Sequence, residues 1–485
     1  MKKNIVFNKG LLDVFFEKNM LRTSVFMSII ILSLYFLSIN KSEASFSEIR
    51  YFSLNVPKYI PKNEFVSSEV ALKWGEMSLK TMKNTPGGSP TYGSRSLGYL
   101  GLTMYECVVA GEAKKKSLVG TLKGLAELPK PEKGQVYNWA LSLNAGQAFL
   151  LKKLYKQSAP KNISRIDSLE EAIYQNELKT TDGKVAERSK LFGQAIAEAI
   201  FEWSKTDGGH EGYKRNFDST YKVPVGKGLW KAPTRGQSAV AMPLHPYWGK
   251  NRTFSPTNSV LPIPEMIKYD FKPDSKYYAY MYEVYTKRKT LTQEEKEIAN
   301  WWGDDPSQTF SPPGHSYNLA NLAVKTAKPD LFKAAETYAK VGMAVADAFI
   351  NCWKIKFIYN AERPYSFIYY NIDRNWDLYW PEPPFPAYYS GHAVQSAATA
   401  TVLTELYGTS FKFIDDSHVG RPKDLERSVE YKARSFNSFW AAAEESAMSR
   451  LYGGIHTRQD NEVGLVEGKK IGKNINSLPW NIIKK

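Results

Sequence analysis

From residue 69 onward, apolar positions recur at the three-to-four spacing of amphipathic helices, and the period-two alternation of strands is scarce. The spacing predicts helices over 69–83, from about Pro90 to about Ala110, and over 135–156, 164–178 and 185–204. In the last of these, Phe192, Ile196, Ile200 and Trp203 fall on one face. The cluster Thr85-Pro86-Gly87-Gly88-Ser89-Pro90 is a turn between the first two. Helical patterns resume near 275–287 and 292–302, then at 316–327, 330–361, 390–408, 427–452 and 460–475. From Asp207 to about Pro264 the chain is rich in Gly, Pro and Asn and has no period. So long an irregular stretch points to a functional role. The expected fold class is all-α: packed helical bundles in two four-helix-bundle-like halves, with a long irregular excursion near 207–264. The expected division is an N-terminal helical region over 45–328 and a C-terminal helical core over 329–485.

Residues 24–39 carry no charge, follow Arg22 and precede Ser42-Glu43-Ala44, which offers small residues at both positions a signal peptidase reads. This apolar run is shorter than the roughly 20 residues a bilayer span needs. Residues 1–44 therefore read as a secretory signal, with Met20 as an alternative start that would make the leader conventional. The expectation is export, to the periplasm or outside, with no stable membrane span once the signal is removed.

Composition narrows the classes. At 485 residues, 43% hydrophobic and 24% charged, the chain can build a large core, which excludes wholesale disorder. Two cysteines exclude a disulfide-dense scaffold and provide no zinc or iron–sulfur spacing. Cys107 and Cys352 could pair after export, but Cys352 lies on a buried stripe, which favours two free core thiols. A net charge of +16 favours anionic substrates or surfaces. The Lys runs near 113–116 and 152–156 are short and no nucleic-acid motif accompanies them, so nucleic acid is not an expected partner.

Several charges fall where core is expected. Leu331, Ala334, Tyr338, Val341, Val345, Ala348 and Cys352 form one apolar stripe, and the next position on it is Lys356. Arg363 lies seven residues on, although Pro364 biases it away from helix. Phe436, Trp440, Ala443 and Ala447 form a second stripe that leads to Arg450. A buried cation without a partner costs several kcal/mol, so each needs a counter-charge. Snorkelling at a helix end or a nearby carboxylate would serve any one of them; a bound polyanion would serve all three. Ser390 after the Pro-rich run 383–386 is a plausible N-cap, which directs the Gly391 and His392 amides at whatever precedes the helix. A plain capped helix explains Ser390 and Gly391 but not His392. His456 follows Gly453-Gly454, and Asp460 four residues later can accept one ring N–H, leaving the other nitrogen as nucleophile or metal ligand. A structural histidine is the alternative. His315 could line a pocket or sit in a loop; His210, His245 and His418 carry no supporting pattern.

In order, Lys356-x6-Arg363-Pro364, Ser390-Gly391-His392 and Ser449-Arg450-x5-His456-x3-Asp460 resemble the three-part signature shared by vanadium-dependent haloperoxidases and type 2 phosphatidic acid phosphatases. Asp347-x5-Trp353-x2-Lys356, Phe385-Pro386-Ala387-Tyr388, and Trp302-Gly303-Asp304-Asp305 with Ser311-Pro312-Pro313-Gly314-His315 extend the resemblance on the bacterial haloperoxidase side. The resemblance implies that Lys356, Arg363, Arg450, Ser390 and the Gly391 amide hold oxyanion oxygens. His456, oriented by Asp460, would ligate vanadium, His392 would be the acid/base, and Trp353 and Phe385 would wall the halide pocket. It implies a vanadate cofactor, with hydrogen peroxide, a halide and a small organic acceptor as partners and hypohalite as product. The alternative on the same residues is a secreted acid phosphatase acting through a phosphohistidine at His456; a non-catalytic oxyanion-binding protein is a third. The nearly 300 residues before the signature favour the haloperoxidase. Two positions depart from the pattern: Tyr389 replaces a Pro before the Ser-Gly-His, and Glu362 replaces a Trp and puts a carboxylate next in sequence to Arg363.

Overall fold

The computed structural model describes residues 66–482 apart from 234, 235, 239 and 307; the expected signal at 1–44 lies outside the described residues. Fourteen helices carry the fold among them: α1 (Glu69–Lys83), α2 (Pro90–Glu106), α3 (Trp139–Leu154), α4 (Pro160–Leu178), α5 (Gly183–Ser204), the single turn α6 (Pro256–Ser259), α7 (Lys276–Lys289), α8 (Gln293–Trp301), α9 (Ser311–Ala327), α10 (Leu331–Tyr359), α11 (Pro364–Asn371), α12 (Gly391–Tyr407), α13 (Phe439–Tyr452) and α14 (Arg458–Asn476). Strands β1 (Phe413–Asp415) and β2 (Arg434–Phe436) pair antiparallel, with Asp415 opposite Arg434. The all-α expectation therefore holds.

Capping chemistry sets the boundaries. Ser89, Asn138, Asp182, Asp330 and Ser438 each accept a first-turn amide with their side chains. α9 starts five residues before the expected 316 because Pro312 and Pro313 occupy a first turn that needs no N–H. Two expected helices are shorter than their patterns. The stretch from Pro90 ends at Glu106, with a 3₁₀ turn at Val109–Gly111, and 427–452 begins only at Phe439. There Phe436 alternates inward from β2 and packs on Phe413, with ring centroids 5.4 Å apart. α11 was not expected; Pro364 at its first position starts it.

α10 runs through the centre against α2, α9, α12 and α14. The contact with α2 is backbone on backbone. A Cβ on Gly101 would lie 2.2 Å from the Tyr338 carbonyl, and one on Gly342 would lie 2.3 Å from that of Leu97. α12 lies as closely on α14, where a Cβ on Gly468 would fall 2.2 Å from the Val394 carbonyl. The expected division at 328/329 falls between α9 and α10, and one apolar core includes residues from both sides of it. Cys107 and Cys352 are buried free thiols, and among the described residues no helix is long and apolar enough to cross a membrane.

Among its described residues, the irregular stretch 207–264 has short 3₁₀ turns and α6 as its helical elements. Asp347, fully buried on α10, anchors its far end. Its carboxylate accepts from the Phe254 amide at 2.6 Å, the Ser255 amide at 3.0 Å and Asn258 Nδ2 at 2.8 Å. Burial pushes this carboxyl up to about 7, against the pull of the three donors. Asp347→Ala strands three buried N–H groups. It should cost about 3 kcal/mol or more, read as a lower urea midpoint, and amide exchange should rise first in 253–259.

Candidate active site

α10 ends at Asn360, which is left-handed (φ 46°), and Arg363 is extended (φ −89°, ψ 156°) as Pro364 requires. One turn before that end, fully buried Lys356 donates from Nζ to the carbonyls of Pro386, Ala387 and Tyr389 at 2.9, 2.7 and 2.8 Å. These three acceptors match the ammonium's three N–H bonds. Arg363 donates through Nε to the Phe385 carbonyl and through Nη1 to the Ile455 carbonyl, both at 2.9 Å. Arg450, in the last turn of α13, donates through Nε to Ser449 Oγ at 2.9 Å and through Nη2 to the Ala299 carbonyl at 3.0 Å. Carbonyls and a hydroxyl, rather than carboxylates, thus hold all three cations. Burial lowers Lys356 to about 8 and each arginine to about 10.

His456 sits between α13 and α14. Its Nδ1 lies 3.1 Å from Asp460 Oδ2, an oxygen that also accepts the Thr457 amide at 3.0 Å in the capping box of α14. The carboxylate accepts, so Nδ1 carries the proton and Nε2 the lone pair; Arg363 Nη1 lies 3.3 Å from Nε2. Burial, then Arg363, Lys356 and Arg450, hold this imidazole well below its ordinary pKa, so it is neutral. The Asp460 carboxyl is itself pushed up by burial, opposed by Thr457 and the nearby cations.

Ser390 caps α12 as expected, accepting from the Ala393 amide at 3.4 Å, while its own amide donates to the Asp460 carbonyl at 3.0 Å. That bond ties the starts of α12 and α14 together. His392 Nε2 lies 2.9 Å from the Trp302 carbonyl; a carbonyl only accepts, so Nε2 is the protonated nitrogen and Nδ1 holds the lone pair. Burial, then Arg450, lowers this imidazole well below its ordinary value.

A cavity of about 500 Å³ joins these groups. Gly391, His392, Arg450 and His456 line it, together with Phe349, Trp353, Phe385 and Leu244. Trp353 and Phe385 stand 4.8 Å apart, and Trp353 Nε1 donates to the Leu244 carbonyl at 3.1 Å. A Cβ on Gly391 would meet only Trp353, at 4.0 Å, so open space fronts the helix start. Lys356, Arg363, Ser390 and Asp460 are not on the cavity wall; they stand behind its lining.

The structure gives places at the site to three acids for which the sequence suggested no role. Asp304 and Asp305 line the cavity, and both sit close enough to Arg450 to support its charge. The carboxyl that acts most on Arg363, ahead of Asp460, is Glu382, buried between Pro381 and Pro383 and pushed up to about 7. Glu362, the neighbour in sequence, instead takes a bond from Tyr277 Oη at 3.4 Å. An acid between prolines in an apolar run was the available signal for Glu382. His315 is neither cavity wall nor loop; it is buried in α9.

Fold and site together define an α-helical protein whose cavity gathers neutral histidines and a helix start in front of buried cations. The family model for the VCPO second helical-bundle domain matches residues 336–483. The first bacterial vanadium-dependent iodoperoxidase with a crystal structure is 30% identical, with a TM-score of 0.71 over 87% of this chain and 98% of that one. A holo-type bacterial vanadium-dependent chloroperoxidase shares the fold at 16% identity, with a TM-score of 0.64 over 86% of this chain and 98% of that one. No curated protein matches the sequence. The chain belongs to the vanadium-dependent haloperoxidase family.

The depressed Lys356 pKa has a consequence for stability. The folded state binds fewer protons than the unfolded between about pH 8 and the ordinary lysine value, so there stability rises with pH. Against Lys356→Met, the wild-type protein without added oxyanion should gain about 2 kcal/mol between pH 8 and roughly pH 9.5. Parallel urea-midpoint profiles for the two proteins would refute the assignment.

Proposed function

We propose that this chain is a vanadate-dependent haloperoxidase that oxidises iodide with hydrogen peroxide, and that His392, His456 and the three buried cations form its active site. The observation that carries the reading is the donor set: three buried cations with neutral partners, a neutral imidazole whose Nε2 bears a lone pair, and a helix start facing open space. Such a set suits a tetrahedral or trigonal-bipyramidal oxyanion. The 30% identity to an iodoperoxidase favours iodide, and the large, polarisable ion suits the Trp353–Phe385 wall.

His456 would hold vanadate through Nε2, with Asp460 fixing the tautomer. Arg450 and the Gly391 amide would supply donors from the cavity wall, and Arg363 would act from behind it, chiefly through its charge. Lys356, its N–H bonds engaged by carbonyls, would contribute its charge, and a direct bond would require it to release one of them. When bound, vanadate supplies Lewis acidity that activates hydrogen peroxide toward halide. The net change, iodide plus hydrogen peroxide plus a proton to hypoiodous acid plus water, consumes a proton. His392 is placed to move protons at Nδ1 because Trp302 holds its other nitrogen. Hypoiodite would then pass to a small organic acceptor. The same reading includes export, supported by the uncharged run 24–39 and the Ser42-Glu43-Ala44 site.

The test is iodide, bromide and chloride oxidation by the purified protein with and without orthovanadate. Iodide turnover that requires vanadate is expected. Ester hydrolysis inhibited by vanadate, with no halide oxidation, would overturn the reading in favour of a phosphatase. His456→Ala should abolish high-affinity vanadate binding, whereas His392→Ala should retain it and lose about a hundredfold or more in kcat.

A further inference from the structure

Directly behind the Trp302–Asp305 loop, an imidazole is clamped between two carboxylates. His315 Nδ1 lies 2.7 Å from Asp304 Oδ2, and its Nε2 lies 2.7 Å from Asp415 Oδ2. His418 Nε2 faces the other Asp304 oxygen at 3.0 Å, and Trp301 Nε1 donates to Asp415 at 3.0 Å. All four of the Asp and His residues are buried, at 2% exposure or less. Carboxylates on both sides need N–H on both ring nitrogens, so His315 is an imidazolium. Its pKa, raised to about 10 by the two carboxylates against the cost of burial, agrees. The clamp joins α9, the loop after α8 and β1, and it holds Asp304 in a left-handed conformation (φ 52°) that a non-glycine residue rarely adopts.

Trp302 links this clamp to the reaction site. Its indole stacks on the His315 ring at 4.3 Å and 24°, and its Nε1 donates to Glu445 at 2.9 Å. Its carbonyl is the group that accepts the hydrogen bond from His392 Nε2–H. We infer that His315 is a positioning residue: its imidazolium, fixed between Asp304 and Asp415, seats Trp302 so that the Trp302 carbonyl sets the tautomer of His392. The role rests on the reading of His392 as acid/base. A divalent metal is the competing occupant, because ligand atoms of Asp304, His315 and His418 lie within 4.8 Å of one another. However, the two His315 nitrogens each face a different carboxylate at hydrogen-bond distance, as a protonated ring does.

The test uses the full chain without vanadate, its histidines labelled with nitrogen-15, in wild-type, His315→Gln and Asp415→Asn forms. Asp415→Asn keeps an acceptor and removes one charge, which guards against misfolding of the first variant. The wild type should show His392 as a single Nε2–H tautomer, and each variant should show a mixture. With vanadate and iodide, kcat should fall about tenfold, while vanadate affinity and the KM for iodide stay within about twofold. An unchanged His392 tautomer in both variants would overturn the proposal. So would a stoichiometric divalent metal that the wild type retains and His315→Gln loses. The tautomer is read without turnover, so failure of the haloperoxidase assignment itself would show separately, as absent iodide oxidation with the tautomer pattern intact.

Discussion

Three cations buried among carbonyls are the constraint around which the rest of the site is arranged. Desolvation makes each of them costly, and neutral partners offset that cost only in part. The chain solves this with backbone rather than with carboxylates. Pro386, Ala387 and Tyr389 turn their carbonyls onto one ammonium, and Phe385 and Ile455 turn theirs onto Arg363. A Pro-rich segment suits this task because its carbonyls have few N–H partners nearby. The charge stays available to an anion because no carboxylate has claimed it at close range; Glu382, Asp304, Asp305 and Asp460 act from further away.

The same economy governs the two histidines. Each has one nitrogen assigned by a group that can only accept: Asp460 for His456 and the Trp302 carbonyl for His392. Each therefore presents a defined lone pair while burial keeps the ring neutral. Asp460 does this while closing the capping box of α14, and its own carbonyl receives the amide of Ser390, the cap of α12. Two helix starts and the orientation of one imidazole are thus one structure. A change at any of the three would be felt at the other two.

How much of this could be read from the chain alone depends on range. Helical stripes and caps are local, so α1, α5, α10 and α12 fell within a few residues of their patterns, and Lys356 and Arg450 stood out as charges on apolar faces. What the sequence could not give were contacts made across distance. Asp415, on a three-residue strand, meets His315 a hundred residues away. The departure at Glu362 placed a carboxylate beside Arg363 in sequence, but the extended Arg363 and the bond from Tyr277 send the two side chains to different partners. Glu382 takes that place because β-like pairing with Gly236 brings the Pro-rich run past it. α11 escaped notice because its eight residues are almost all aromatic or apolar and show no polar face to time the helix.

Part of the irregular stretch 207–264 belongs to the site. Asn216, Phe217, Gly236, Gln237, Ser238 and Leu244 line the same cavity as His392 and His456. The stretch is pinned at Trp230 to the Asn360 carbonyl, at Leu244 to the Pro384 carbonyl and at 254–258 to Asp347. These three pins land on α10, on the residue that ends it and on the Pro-rich run beside Lys356 and Arg363, and further bonds tie the stretch to Gly87, Thr91 and Asn474. Lys356, Arg450 and the Gly391 amide belong to helices of the core, while six residues of the cavity wall come from a segment with no helical period. Side chains there can change without moving a cation or a helix cap. Substitutions at Phe217, Gln237 or Leu244 would therefore reshape the cavity beside the Trp353–Phe385 wall while leaving the buried cations in place.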